Sequence, residues 1–178
     1  MNSILGGSFT SRLNSNLREQ HGYAYGAGSS FAFRPFAGPF LASSDVQTDA
    51  TDKALNEFVK ELTAIQQPLP DEELARAKNY IALGYPDNFS NVGSIAQQLA
   101  EMILYGLPEN YFNEYIGRVL SVKKEDVERV AKKYIDLNNI AIVVVGDRAK
   151  VEKGIQDTKI APVQNFVPAD ILGPMPKL

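Results

Sequence analysis

Residues 5–31, LGGSFTSRLNSNLREQHGYAYGAGSSF, decide the fold because a helical pattern there is followed directly by a strand pattern. Apolar side chains recur every four positions at Phe9, Leu13 and Leu17. Ser8 is a suitable N-cap for this helix, and Gly22 is a suitable stop. From Tyr23 to Arg34 the spacing becomes two, which predicts a strand: one face carries Tyr25, Phe31 and Phe33, and the other has almost no bulk.

A second strand is expected to return from Phe40 to Gln47, because the proline-bounded segment Pro35–Pro39 turns the chain. Helices dominate after this antiparallel hairpin. Apolar stripes and helix-start signals predict them over Leu55–Ile65, from Pro70 onward, over Val92–Ile103 with a stop at Gly106, over Tyr111–Ile116, over Val127–Tyr134 with Ser121 as the cap, and after Asp147.

The aliphatic run Ile140–Val145 is too short for a helix and predicts a strand buried on both faces at the centre of the sheet. Val163–Val167 is a candidate last strand. This order of elements favours an α+β fold, a two-layer sandwich of helices on a mostly antiparallel sheet. The length of 178 residues suits a single domain covering 1–178.

Composition excludes several classes of function. The formal net charge of -3 argues against nucleic-acid binding, which requires a basic surface. No apolar run approaches the roughly 20 residues that a membrane span needs. The chain has one histidine, His21, and no cysteine, so it cannot build a zinc site from histidine or cysteine ligands.

Other catalytic motifs are weak. A Ser-His-Asp triad would need His21, and no serine lies in a Gly-x-Ser-x-Gly turn. The acidic run Asp71–Glu73 suits the start of a helix, and the charges of 123–133 alternate as on a solvated helix face. The backbone of LGGS, residues 5–8, can hold an anion before a helix, but a glycine pair is not a phosphate loop.

Arg18 and Tyr25 remain as candidate site residues because they flank the transition from helix to strand. A guanidinium and a phenol are hydrogen-bond donors suited to a peptide carbonyl or to the oxyanion of a tetrahedral intermediate. From the residues alone, two structural roles are favoured over this functional one. Arg18 can cap the carbonyls of its own helix, and Tyr25 can be a half-buried strand aromatic.

The segment 5–31 resembles the signature of the second domain of the pitrilysin family of zinc metallopeptidases, which includes insulysin and the mitochondrial processing peptidases. The matching positions are Leu5-Gly6-Gly7, Ser11-Arg12-Leu13, Leu17-Arg18-Glu19, Gly22 and Tyr25. The later segments PDEELARAKNYI, 70–81, and IAIVVVGD, 140–147, fit the same family. The resemblance extends over about the whole chain.

The resemblance implies a metal-free half of a peptidase, with the processing-peptidase type of metallohydrolase fold. In that family Zn and the general base lie in a homologous N-terminal domain or subunit, and the residues that match Arg18 and Tyr25 hold the substrate backbone and the oxyanion. The expected substrate is an extended peptide, and this chain alone is expected to be inactive. The alternative is a non-catalytic peptide-binding or assembly subunit related to processing peptidases.

Two departures from the family pattern shape the expectations. Only Met1–Ile4 precedes the Leu-Gly-Gly element, so we expect a fragment of a longer two-domain chain that lacks the first strand of its sheet. An unpaired sheet edge would favour a homodimer. The resemblance implies that the position of His21 varies in the family, so we expect an exposed turn residue without a catalytic role.

Overall fold

The computed structural model describes residues 1–173. Two strands, β1 (Ala24–Phe31) and β2 (Phe40–Val46), follow a short helical N-terminal region. The helices are α1 (Asn2–Leu5), α2 (Arg12–Asn14), α3 (Thr51–Ala64), α4 (Asp71–Gly84), α5 (Val92–Tyr105), α6 (Tyr111–Ser121), α7 (Lys124–Tyr134), α8 (Arg148–Thr158) and α9 (Pro168–Leu172). None of the helices within this described part combines the length and apolar character needed to cross a membrane.

The predicted hairpin is confirmed, with β1 and β2 pairing antiparallel. Phe31 pairs with Phe40, and their rings are tilted against each other with centroids 4.8 Å apart. Toward the other end of β1 the register shifts by one residue, because Ala27 pairs with Ser44 and Ala24 with Val46. One extra residue of β1 is therefore accommodated as a bulge.

The core lies where the N-terminal helices and α3, α4 and α7 meet one face of the hairpin. The largest fully buried hydrophobic side chains are Leu5, Leu13, Leu17, Ile65 and Ile135. Each such side chain stabilises the fold by about 1.5–3 kcal/mol relative to an exposed position. Ala27 and Ala42 of the sheet pack against this cluster. Helices on one face of an antiparallel sheet form an α+β fold, as predicted.

The helix that the sequence pattern predicted from Ser8 onward begins later, at Arg12, the first residue of α2. Ser11, with an extended backbone, occupies the position before α2. The Ser8 hydroxyl donates to the Ser3 carbonyl at 3.0 Å and does not cap α2. Leu13 and Leu17 are buried as expected, but Phe9 lies before the helix and is exposed. The prediction that Phe9 lies within the first helix was wrong because Ser8–Ser11 forms a turn, closed by a 3.1 Å bond from the Ser11 nitrogen to the Ser8 oxygen.

The expected central strand Ile140–Val145 is wrong for the described residues 1–173. Its backbone is extended at Ile140 (φ -104°, ψ 149°), but no described strand lies beside it to complete a ladder. Val143 and Val145 are 83% and 93% exposed rather than buried. A strand is defined by its partner, and β1 and β2 are paired with each other. Residues 163–167 also form no strand.

The other helix boundaries agree with the sequence, with one exception. Gly106 ends α5 in the left-handed conformation, and the Asp147 carboxylate accepts the Ala149 N–H at the start of α8. Ser121, however, is the last residue of α6, and its hydroxyl donates to the Arg118 carbonyl. The carboxylate of Asp126, not Ser121, satisfies a backbone N–H at the start of α7.

Candidate functional site

Arg18 lies in a π-helical segment, Ser15–Gln20, that continues α2. The His21 N–H donates to the Asn16 carbonyl five residues back, at 3.1 Å, which is the hydrogen bond of a widened turn. Such turns occur mostly within α-helices and are frequent at functional sites. Gly22, with φ +63°, then reverses the chain into β1, as its position in the sequence predicted.

Tyr25 lies in the β1 bulge, between the paired residues Ala24 and Ala27. A bulge bends the strand and changes the direction of its side chains. The Tyr25 side chain is 89% exposed, so it is not the half-buried strand aromatic that the sequence left open. Gly26 beside it was a signal for this bulge, because a glycine inside a strand often marks one.

The structure brings Arg18 and Tyr25 together. The Arg18 Cζ atom is 5.1 Å from the centroid of the Tyr25 ring, within the range of a cation–π contact. The Arg18 Nε atom is also 3.2 Å from Glu19 Oε1. Among residues 1–173 no carbonyl accepts a hydrogen bond from this guanidinium, so the helix-capping role is not observed there.

Phe9 belongs to the same cluster, although the sequence interpretation placed it in the first helix. Its ring centroid is 4.7 Å from Arg18 Cζ, and the side chain is 65% exposed. We call Phe9, Arg18 and Tyr25 the aromatic–arginine cluster. The sequence contained a signal for this position of Phe9, because Ser11 is a second candidate N-cap besides Ser8. A helix that begins after Ser11 leaves Phe9 outside the helix.

Asn14 is a second residue that sequence reasoning missed. Its side chain is buried, its Nδ2 donates to the Phe9 carbonyl at 2.7 Å, and its Oδ1 accepts the Ala27 N–H at 3.2 Å. The amide therefore links the Phe9 segment, the helix before Arg18 and the strand of Tyr25. In the sequence, Asn14 is marked only by its place in the predicted helix between Leu13 and Leu17.

Asn16 ties the π-helical segment to α3. Its Nδ2 donates to Glu57 and Glu61, each at 2.7 Å. Burial acts to raise the pKa of the Glu57 carboxyl, but hydrogen bonds from Lys60 and Asn16 and the nearby positive charges outweigh it, so this pKa lies below its ordinary value. The helix turn that carries Arg18 is thus fixed by charge-assisted hydrogen bonds.

His21 is exposed in the turn after the π-helical segment. Its ring stacks on Tyr23, with centroids 4.9 Å apart, and its Nε2 is 3.9 Å from Glu57 Oε1. It makes no ring contact with Tyr25 in the described structure. The exposed turn position expected for His21 is therefore observed, and it lies outside the aromatic–arginine cluster.

No group of three or more histidine, aspartate or glutamate side chains within residues 1–173 could hold a metal ion. The acidic start of α4 is engaged in ion pairs: Glu73 with Arg12 and Asp71 with Lys124, each at 2.8 Å. The part of the chain that the structure describes therefore offers no cluster of side chains for zinc. The cluster can contribute hydrogen-bond donors and positive charge, but no metal chemistry.

The cluster is a surface feature rather than a cavity. A polar cleft of about 390 Å³ lies elsewhere, with the Arg12–Glu73 ion pair and Arg76 in its wall. Neither Arg18 nor Tyr25 lines it. A ligand at the aromatic–arginine cluster would therefore lie across an open surface, as an extended chain does, and would need a second surface to enclose it.

Comparison with known proteins gives one matching protein family, described as "Peptidase M16 inactive domain", over residues 1–81. Among curated proteins, the non-peptidase homologue YmxG of Helicobacter pylori is 25% identical over 152 residues. The match covers 83% of this chain and 34% of that protein. The chain therefore spans about a third of the length of this relative.

Solved structures are also similar to this chain in fold and sequence. The peptidase M16 inactive domain from Pseudomonas fluorescens superposes with a TM-score of 0.69 at 26% identity, covering 76% of this chain and 32% of that one. A putative zinc protease from Bordetella pertussis superposes with a TM-score of 0.61 at 25% identity. That match covers 75% of this chain and 74% of the Bordetella chain.

Proposed function

We propose that this chain is the substrate-positioning half of a zinc-dependent peptidase, because residues 1–81 match the peptidase M16 inactive-domain family, in agreement with the resemblance seen in the sequence. Arg18 and Tyr25 donate hydrogen bonds to the carbonyl of the scissile peptide bond and to the oxyanion that forms from it. Zinc and the general base come from a homologous domain or subunit that faces this one.

The observation that carries the proposal is the convergence of Arg18 and Tyr25. They come from a helix and a strand, yet the guanidinium carbon is 5.1 Å from the phenol ring. A guanidinium is a cationic donor, and a phenol is a neutral one. Together they suit a carbonyl oxygen that gains negative charge in the transition state.

The exposure of the cluster supports a two-part site. The Tyr25 side chain is exposed, and no described element covers it. Donors stabilise a developing charge best where water is excluded. A second domain that closes over Arg18 and Tyr25 would provide this exclusion, together with the zinc of the proposed assembly. In this proposal, residues 1–178 act as one domain of that assembly.

The proposal is tested by reconstitution. The 178-residue chain is mixed with a zinc-bearing domain of the same family, and cleavage of an internally quenched peptide is measured. We expect Arg18→Ala and Tyr25→Phe each to lower kcat/KM by about 100-fold or more, the usual cost of losing an oxyanion donor. Arg118→Ala and Tyr80→Phe are matched controls, because Arg118 is an exposed arginine paired with a glutamate and Tyr80 is an exposed tyrosine.

Unchanged kcat/KM in both site variants, with active wild-type mixtures, would overturn the proposal. The alternative function is a non-catalytic peptide-binding or assembly subunit. It is favoured by the name of the Helicobacter pylori relative, which is a non-peptidase homologue. Peptide binding without cleavage, in the presence of any zinc-bearing partner, would identify this alternative.

A further inference from the structure

Phe9 is exposed but held in place. Its ring is 65% exposed, which leaves the side chain with little role in the core. Its backbone carbonyl nevertheless accepts a 2.7 Å hydrogen bond from the buried Asn14 amide. The segment before α2 is therefore fixed, and it presents an aromatic ring at a defined position next to Arg18.

The ring of Phe9 is nearer to the Arg18 guanidinium carbon than the ring of Tyr25 is, at 4.7 Å against 5.1 Å. An arginine side chain has many rotamers, and ordering it costs conformational entropy. In the same conformation the exposed carboxylate of Glu19 lies 3.2 Å from Arg18 Nε. The Phe9 ring adds a second aromatic contact to this conformation and so favours the position of the guanidinium beside Tyr25.

We propose that Phe9 is a positioning residue that holds the Arg18 guanidinium beside Tyr25 without engaging the Nη donors that a peptide carbonyl needs. This inference rests on the proposed function of Arg18. Attraction to an aromatic ring uses the positive charge of the guanidinium and requires no oxygen acceptor. Phe9 therefore orders the group without occupying the donors that the substrate needs.

The first test needs neither a peptide nor a partner. In the ¹⁵N-labelled 178-residue chain, the Nε–H signal of Arg18 is assigned by its loss in Arg18→Lys, and its order parameter is measured. We expect Phe9→Leu to lower this order parameter into the flexible range, below about 0.6, and Phe9→Trp to retain the wild-type value. An unchanged order parameter in Phe9→Leu would overturn the positioning role.

Phe36→Leu is the matched control for this measurement, because Phe36 is an exposed phenylalanine in the hairpin connection. It should leave the Arg18 signal unchanged. Thermal unfolding of Phe9→Leu is recorded in parallel. Since the Phe9 side chain is exposed, we expect a folded variant, so that the loss of order at Arg18 is not a consequence of unfolding.

The second test is a double-mutant cycle with a fluorescein-labelled, blocked dodecapeptide pool as the probe. Phe9→Leu should weaken binding about two- to five-fold with Arg18 present and have no effect in an Arg18→Ala background. Equal weakening in both backgrounds would mean that Phe9 contacts the peptide directly, which overturns the positioning role.

The two tests separate the inference from the function on which it rests. Binding that is insensitive to Arg18→Ala argues against the proposed function of Arg18. The order parameter in Phe9→Leu still decides whether the ring positions the guanidinium.

Discussion

The side-chain oxygen of Asn14 accepts the backbone N–H of Ala27 at 3.2 Å, and this hydrogen bond joins the helix that precedes Arg18 to the strand that carries Tyr25. The other end of the same amide donates to the Phe9 carbonyl. One buried side chain therefore sets the relative positions of the three segments that form the aromatic–arginine cluster. The geometry of an exposed site depends here on a hydrogen bond in the interior.

Asn14→Leu should destabilise the fold, because it leaves the Ala27 N–H and the Phe9 carbonyl without their partner. We expect the free energy of unfolding in urea to fall by about 2 kcal/mol. Asn56→Leu is the matched control, since Asn56 is an exposed helix residue whose amide donates only to the Asp52 carbonyl. A similar loss in both variants would contradict the linking role of Asn14.

Gly6→Ala should also be destabilising, because a Cβ atom at Gly6 would lie 2.4 Å from the Ser29 nitrogen and 2.8 Å from the Gly28 carbonyl carbon. The Gly6 carbonyl accepts the Ser29 N–H at 3.0 Å, so this close approach fastens the N-terminal turn to β1. We expect a loss of about 1–3 kcal/mol in urea unfolding.

The control for this glycine is Gly84→Ala at the end of α4, where an added Cβ meets no atom within 4 Å. Alanine is a better helix former than glycine, so this variant should be neutral or slightly more stable. If Gly6→Ala were as stable as Gly84→Ala, the close packing of Gly6 on β1 would be wrong. This packing also gives the Leu-Gly-Gly element a structural role, without a bound anion.

The sequence predicted those elements whose signals are local. The hairpin follows from alternation around a proline-bounded turn, the end of α5 from Gly106, and the start of α8 from Asp147. In each case the side chains that specify the element are neighbours in the chain. The positions of Arg18 and Tyr25 were likewise marked by their own helix-to-strand transition.

Features that depend on distant residues were not predictable in this way. The run 140–145 has the composition of a buried strand, but pairing requires a neighbour that composition does not reveal. The bulge that exposes Tyr25 and the turn that places Phe9 beside Arg18 depend on Asn14, whose two partners lie in different elements. The contacts within the site therefore became visible only in the structure.

Stability should fall in acid through Glu57. Its pKa is lower in the folded chain than its ordinary value of 4.5, so the charged carboxylate stabilises the fold above that value. This contribution is lost as the pH falls through the lower pKa of the folded state. Glu57→Gln should lower the free energy of unfolding at pH 6 by about 1 kcal/mol, which is measured as a lower urea midpoint. Between about pH 5 and pH 3 the urea midpoint of this variant should then decrease less than that of the wild type.

Glu109→Gln is the control for the pH series, because Glu109 lies exposed before α6. Its urea midpoints should follow the wild type at every pH. A Glu57→Gln curve parallel to the wild type would show that Glu57 is not responsible for the acid-sensitive part of the stability. The hydrogen bonds from Asn16 and Lys60 would then contribute equally to a neutral partner.

The extended segment 140–145 should exchange its amide hydrogens rapidly. Its backbone N–H groups donate to no carbonyl of the described chain, whereas the paired residues of β1 and β2 form a ladder. Hydrogen exchange by mass spectrometry should show peptides covering 140–145 near the rate of an unfolded chain and peptides covering 27–31 protected.

Substitution provides an independent measurement at the same segment. Val143 is 83% exposed, so Val143→Asp should change the free energy of unfolding by less than about 0.5 kcal/mol. Leu13→Asp, at a completely buried position, should prevent folding. Two other results together would instead show that two copies of the chain pair through this segment. These are hydrogen-exchange protection of 140–145 that rises with protein concentration, and a dimer that Val143→Asp dissociates. The physical reason is that an unpaired apolar strand can pair with a strand of another copy.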